Sequence, residues 1–172
     1  MNELLSAAIP TSVAYLSAQT YCIQNKIPFF TGGTKDIKHK ILINLRNLTI
    51  GILTSNLIIS KTNPFVLSMN PLDEAISMIG YSLLVELYFY WLHRALHENK
   101  WLYKHVHKEH HLETEPSPID AYILTVSESV MIVTALTFPL IFGYDITKRG
   151  AVIVQTLHLI VGILLHGGLP ET

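Results

Sequence analysis

Five histidines at helical spacing, His93, His97, His107, His110 and His111, follow directly on a long apolar segment. His93 and His97 are four residues apart, as are His107 and His111; His107 and His110 are three apart. On a helix those separations put side chains on one face, about 5–6 Å apart at Cβ. Imidazole is the commonest protein ligand for zinc, iron and copper. Two such pairs facing one another can close around a metal ion. One pair alone is more simply read as two solvated histidines. Both pairs together at a membrane surface point to a metal centre working on something dissolved in the lipid.

Other histidine chemistries fail on spacing. A zincin needs H-E-x-x-H, but His97-Glu98 is followed by Asn99, Lys100 and Trp101. The inverted H-x-x-E-H would need histidine at 106, which is Val106. His105 lies about 160° around a helix from His107 and is read as a non-ligand. Upstream, Glu86, Tyr90, His93 and His97 form one polar stripe on an apolar helix. Glu86 then sits about 10 Å below His93. A carboxyl at that depth is expected to accept a hydrogen bond from a ligand histidine, the alternative being an interhelical hydrogen bond through a protonated carboxyl. His158 lies about 12 Å deeper than His166 on the last helix. It is a candidate for the substrate path, or else an interhelical hydrogen-bonding group.

The elements that must position these groups are membrane helices. The chain has 172 residues, 49% of them hydrophobic and 15% charged, with a mean hydropathy of +0.36. An ordinary soluble domain carries about 25% charged residues. A net charge of −1 gives no electrostatic case for nucleic acid. The lone cysteine, Cys22, excludes an internal disulfide and any cysteine-rich metal site. Segments of about 20 apolar residues are expected at 4–23, 41–60, 74–92, 119–142 and 150–166. The second is the weakest, because it carries Arg46 and three asparagines. The N-terminus lacks a basic leader, so 4–23 is expected to be a retained membrane segment. The expected fold is an all-α integral membrane bundle of four to five membrane segments with a histidine-rich helical cap. It forms one domain over 1–172, with N-terminal membrane segments over 1–70 and the histidine region over 74–172.

If all five segments cross, loops 24–40 and 93–118 share a side. They carry Lys26, Lys35, Lys38, Lys40, Arg94, Lys100, Lys104 and Lys108, against Lys61, Lys148 and Arg149 opposite. Eight cations against three put the histidines in the cytoplasm. The same parity returns His166 to their side.

The run ELYFYWLHRALHENKWLYKHVHKEHH resembles the fatty acid hydroxylase/sterol desaturase superfamily, which includes C-4 methylsterol oxidases. These are membrane non-haem di-iron oxygenases with H-x-x-x-H, H-x-x-H-H and later H-x-x-H-H boxes. The first two boxes fall on His93 and His97, then on His107, His110 and His111. Tyr103, Lys104 and Lys108 match the flanks of the second, and His166-Gly167-Gly168 resembles an intermediate histidine before a small-residue turn. The resemblance implies iron held by His93, His97, His107, His110, His111 and His166, in a site that zinc could also occupy. Glu86, Tyr90 and Glu128 are then expected to support those ligands. It also implies a sterol or fatty acyl substrate, O2, and an electron-donor protein of cytochrome b or ferredoxin type. In a eukaryote the location would be the endoplasmic reticulum.

Two departures qualify this. Thr125-Val126-Ser127-Glu128 stands where the family has His-Pro-x-Glu, so the acid is kept and the histidine is not. No third box occurs before Thr172, so the chain is expected to be C-terminally truncated, with catalysis depending on that box being supplied. A non-catalytic accessory protein of the same descent is the alternative. A metal-binding transporter ranks last, because Glu86, Glu128 and His158 are the sole polar candidates for the membrane interior.

Overall fold

The computed structural model describes residues 13–14, 16–26, 28, 34–62, 65–112 and 116–166. Four long helices make up the frame: α1 (Thr34–Thr62), α2 (Pro71–Glu98), α3 (Val126–Ile141) and α4 (Lys148–His166). Successive helices run in opposite directions, so α2 and α4 both end at the histidine end. Helix α3 packs on α1 and α2, and α4 packs on α2. The distal end is clipped by two short parallel strands, β1 (Phe65–Val66) and β2 (Ile146–Thr147), with Phe65 opposite Ile146. Residues 16–24 are also helical, and Ala14 and Ala18 pack with Ala121 and Ile163. The rest of the expected segment 4–23 lies outside the described residues.

Among the described residues, three helices are long and apolar enough to cross a membrane: Asp36–Thr62, Pro71–Glu98 and Lys148–His166. The outward face of α2 shows why. Leu72, Ile76, Ile79, Leu83 and Leu87 recur at three- and four-residue steps and are all more than half exposed. Such a stripe is stable only against lipid or another apolar surface.

The expected segment 119–142 is not one helix. Pro118–Tyr122 is a 3-10 turn, and α3 begins only after Thr125, whose side chain accepts from the Glu128 amide. At 16 residues, α3 is about 24 Å long, short of the ~30 Å hydrocarbon core. The segment with Arg46 and three asparagines, by contrast, forms the longest helix, α1. Its polar side chains in the half nearer the histidines, Asn44, Arg46 and Asn47, are occupied. Asn44 and Asn47 donate to the carbonyls of Ile119, Tyr122 and Leu124, and Arg46 donates to Leu124 O at 2.5 Å. Lys40 forms a buried ion pair with Asp120, at 2.7 Å. The stripe is an anchor for the 117–124 loop, so its polarity reflects backbone needing partners rather than an interfacial location.

The main core lies between α2, α3 and α4, around Tyr81, Val85, Leu140, Ile146, Ala151 and Val154. Tyr81 donates to Leu136 O at 2.7 Å. Gly80 lets Tyr144 cross α2 closely, since a Cβ there would stand 2.2 Å from the Tyr144 hydroxyl. That hydroxyl donates to Ser77 O.

Candidate metal centre and lipid cavity

The last two turns of α2 carry His93 and His97. Asn99 then stops one helix and starts the next. Its amide still donates back to Ala95 O, while its side chain accepts from Trp101 N and Leu102 N. This double cap turns the chain at the helix end. After Lys100–Leu102, residues Tyr103–His107 form a π-helix and Lys108–His111 a 3-10 turn. The second histidine group was expected on a regular α-helical face. The change from wide to tight winding instead swings His107 inward, leaving it 1% exposed. His105 faces outward, with Nδ1 on Trp101 O at 2.9 Å and its ring against Trp101.

His93, His97, His107 and His111 converge, their ligand atoms all within 4.8 Å of one another. The Nε2–Nε2 distances are 3.1 Å from His93 to His97, 3.1 Å from His97 to His107 and 2.9 Å from His107 to His111. Adjacent ligands at right angles around an ion with bonds of about 2.1 Å are about 3.0 Å apart. Four converging imidazole nitrogens therefore fit a transition-metal ion, whose charge would use every lone pair at once.

The orientation of His107 is set by Glu128. Nδ1 of His107 donates to Glu128 Oε1 at 2.6 Å, and both residues are buried. With its proton on Nδ1, the neutral ring presents a lone pair on Nε2, toward His97 and His111. Thr125 reinforces this link: its hydroxyl donates to Val106 O, tying the π-helix to the start of α3.

His110 turns away from this group and meets His166, Nε2 to Nε2 at 3.0 Å. His166 Nδ1 donates to Gly162 O, so its Nε2 is also left as an acceptor. The two sets are adjacent, with the His107 and His110 rings 5.5 Å apart. Burial, followed by the neighbouring His166, His107 and His111, pushes the His110 imidazole down to about 3 from 6.5. Burial, followed by the neighbouring His107, His97 and His166, lowers His111 as well. Between pH 3 and 6.5 the unfolded chain thus binds more protons at His110 than the fold does. Its contribution to the stability of the metal-free protein is complete above about pH 6.5 and declines as pH falls toward 3. Thermal unfolding of metal-free protein in detergent should show Tm falling over this range, and His110→Gln should flatten the slope.

Glu86 and His158 take the interhelical arrangement. Glu86 Oε1 meets His158 Nε2 at 3.0 Å, rather than one of the six histidines above. Tyr90 shares their helical stripe but is exposed, and its hydroxyl accepts from Arg94 at 3.3 Å instead of bonding to any of the six histidines. Glu86 and His158 instead line a cavity of about 340 Å³ that also reaches His93, His107, His110 and His166. Its other walls include Phe89, Ile132, Leu136 and Leu165.

Sequence reasoning missed the support from α1. Lys40, Asn44 and Asn47 hold the loop that carries Asp120, Tyr122 and Leu124 beside the site. The signal was present: the three recur at i, i+4 and i+7, one helical face.

The family model for fatty acid hydroxylase matches residues 78–172, a stretch containing all six histidines and Glu128. The chain belongs to the fatty acid hydroxylase family. Within that family it is 40% identical over 65 residues to a putative methylsterol monooxygenase of Dictyostelium discoideum, covering 37% of this chain and 24% of the relative. It is 43% identical over 71 residues to a very-long-chain aldehyde decarbonylase of Oryza sativa subsp. indica, covering 38% and 26%. Lathosterol oxidase of Rattus norvegicus is 39% identical over 46 residues, covering 27% and 15%. The matched stretch thus spans about a quarter or less of each of these relatives. No solved structure matches the chain.

Proposed function

We propose that this fatty acid hydroxylase family member is an iron-dependent oxidoreductase acting on a membrane lipid. The reaction is hydroxylation or desaturation of a sterol or fatty acyl chain with O2. The observation that carries the reading is the convergence of four histidine ligand atoms within 4.8 Å, at one end of a cavity with largely apolar walls. His93, His97, His107 and His111 would hold one ion, and His110 with His166 would supply two ligands to a second. Iron supplies the one-electron oxygen chemistry that no side chain performs well. A further H-x-x-H-H box would complete the second site, and this chain's own residues position the groups that are present. Glu128 fixes the tautomer and angle of His107, Asn99 and the π-helix bring the second pair onto the first, and the cavity admits a lipid tail while excluding water.

The relatives named methylsterol monooxygenase and lathosterol oxidase support a sterol or related lipid as substrate. The histidine end is assigned to the cytoplasmic face, where a soluble or peripheral protein can deliver electrons. Setting aside the ion-paired Lys40, Arg94 and Arg149, six cations still stand against two opposite. The test is to produce the chain in membranes, supply isotopically labelled dioxygen and a reductase system, and compare lipids by mass spectrometry. The reading predicts a lipid that gains one labelled oxygen or loses two hydrogens, and no such product with His97→Ala. An identical lipid profile in the two membranes would overturn it.

A further inference from the structure

Glu86 and His158 lie outside the histidine cluster, yet they face the same cavity. Seven residues separate Glu86 from His93 and eight separate His158 from His166, about 10 and 12 Å along their helices. Ionisable groups at that depth in membrane-crossing helices are costly and usually serve a ligand.

The hydrogen bonds limit what the pair can do. A carbonyl only accepts, so the 2.9 Å contact with Val154 O puts a hydrogen on His158 Nδ1. His158 Nε2 lies 3.0 Å from Glu86 Oε1. Both ring nitrogens of His158 are therefore engaged. Glu86 is not saturated. Among the described residues its second carboxyl oxygen has no hydrogen bond, and its side chain is 64% exposed. The surrounding wall is supplied by Val85, Phe89, Ile132, Leu136 and Leu165. A plain hydrocarbon in that space would strip water from the carboxyl and return nothing. A lipid hydroxyl would satisfy it.

We propose that Glu86, held in place by His158, selects the substrate by binding a hydroxyl group on a lipid whose reacting carbon lies about 10 Å away, at the histidines. The distance rests on the reading of the histidines as the oxidising centre; the hydroxyl preference does not.

Binding to the detergent-purified chain tests it, with tritiated cholesterol and tritiated 1-octadecanol as probes and unlabelled cholesterol, 5α-cholestane, 1-octadecanol and octadecane as competitors. In the wild type, at least one hydroxylated compound should compete about tenfold or more better than its hydrocarbon twin, the size of one hydrogen bond to a charged group. Glu86→Leu and Glu86→Ala should each bring the twins to near equality. Glu86→Gln, which keeps an acceptor oxygen, should retain most of the preference. Equal competition by both pairs of twins in the wild type overturns the proposal without any variant, and so does a preference that survives in Glu86→Leu. Metal content is measured on the same samples and should be unchanged by Glu86→Leu, which also reports that the variant is folded. A hydroxyl preference in protein that binds no metal would support this site while overturning the oxidase reading. Bound iron with no hydroxyl preference would do the reverse.

Discussion

Replacing His107 by alanine is expected to lower metal affinity by at least about 100-fold. His107 is the centre of the cluster, in Nε2 contact with both His97 and His111 and ring contact with His93. Its removal also leaves Glu128 buried without its histidine. The companion variant separates the two effects. Glu128→Ala keeps all four ligand rings but frees His107 to rotate and change tautomer, and should cost about 10–100-fold in affinity. His105→Ala, whose ring faces outward against Trp101, should change affinity by less than about twofold. Competition titration with a chromophoric chelator gives all three values. Equal affinities for wild type and His107→Ala would contradict this assignment.

Breaking the buried pair between Lys40 and Asp120 is expected to be the most damaging change outside the cluster. The two side chains are 8% and 4% exposed. Removing one partner from such a pair costs about 3–5 kcal/mol, mainly by leaving a charge buried and unpaired. Asp120 has a second task, since its other oxygen accepts from the amide and hydroxyl of Ser117 and so closes the turn leading to Tyr122. Lys40→Met should therefore lose about 3–5 kcal/mol, and Asp120→Ala at least as much. Denaturant unfolding in mild detergent measures both. A loss below about 1 kcal/mol for Lys40→Met would place the pair in water rather than in the core.

These two sites differ in how far the sequence revealed them. The histidine pairs were visible because α2 is regular up to Glu98, and a regular helix converts spacing directly into facing. The partition of the second box was not. His107, His110 and His111 pass through a π-helix and a 3-10 turn, and neither winding follows from side-chain periodicity. His110 consequently meets His166 rather than the other four. Lys40 and Asp120 are 80 residues apart, and their pairing depends on how α1 packs against a loop. Charge counting treated Lys40 as a solvated loop cation, although it is spent on a buried carboxylate. Likewise, apolarity alone ran the segment 119–142 together. Pro118 and Thr125, at the starts of the 3-10 turn and of α3, were the local signs that it is divided.

The central claim is that His93, His97, His107 and His111 form a metal site. Its most direct test is elemental analysis of the purified chain after anaerobic reconstitution with ferrous iron and removal of excess metal. The four-histidine site predicts at least about one iron per chain in the wild type, and less than about one tenth of that in His107→Ala. Well under one iron per wild-type chain, or equal iron in the two proteins, would contradict it.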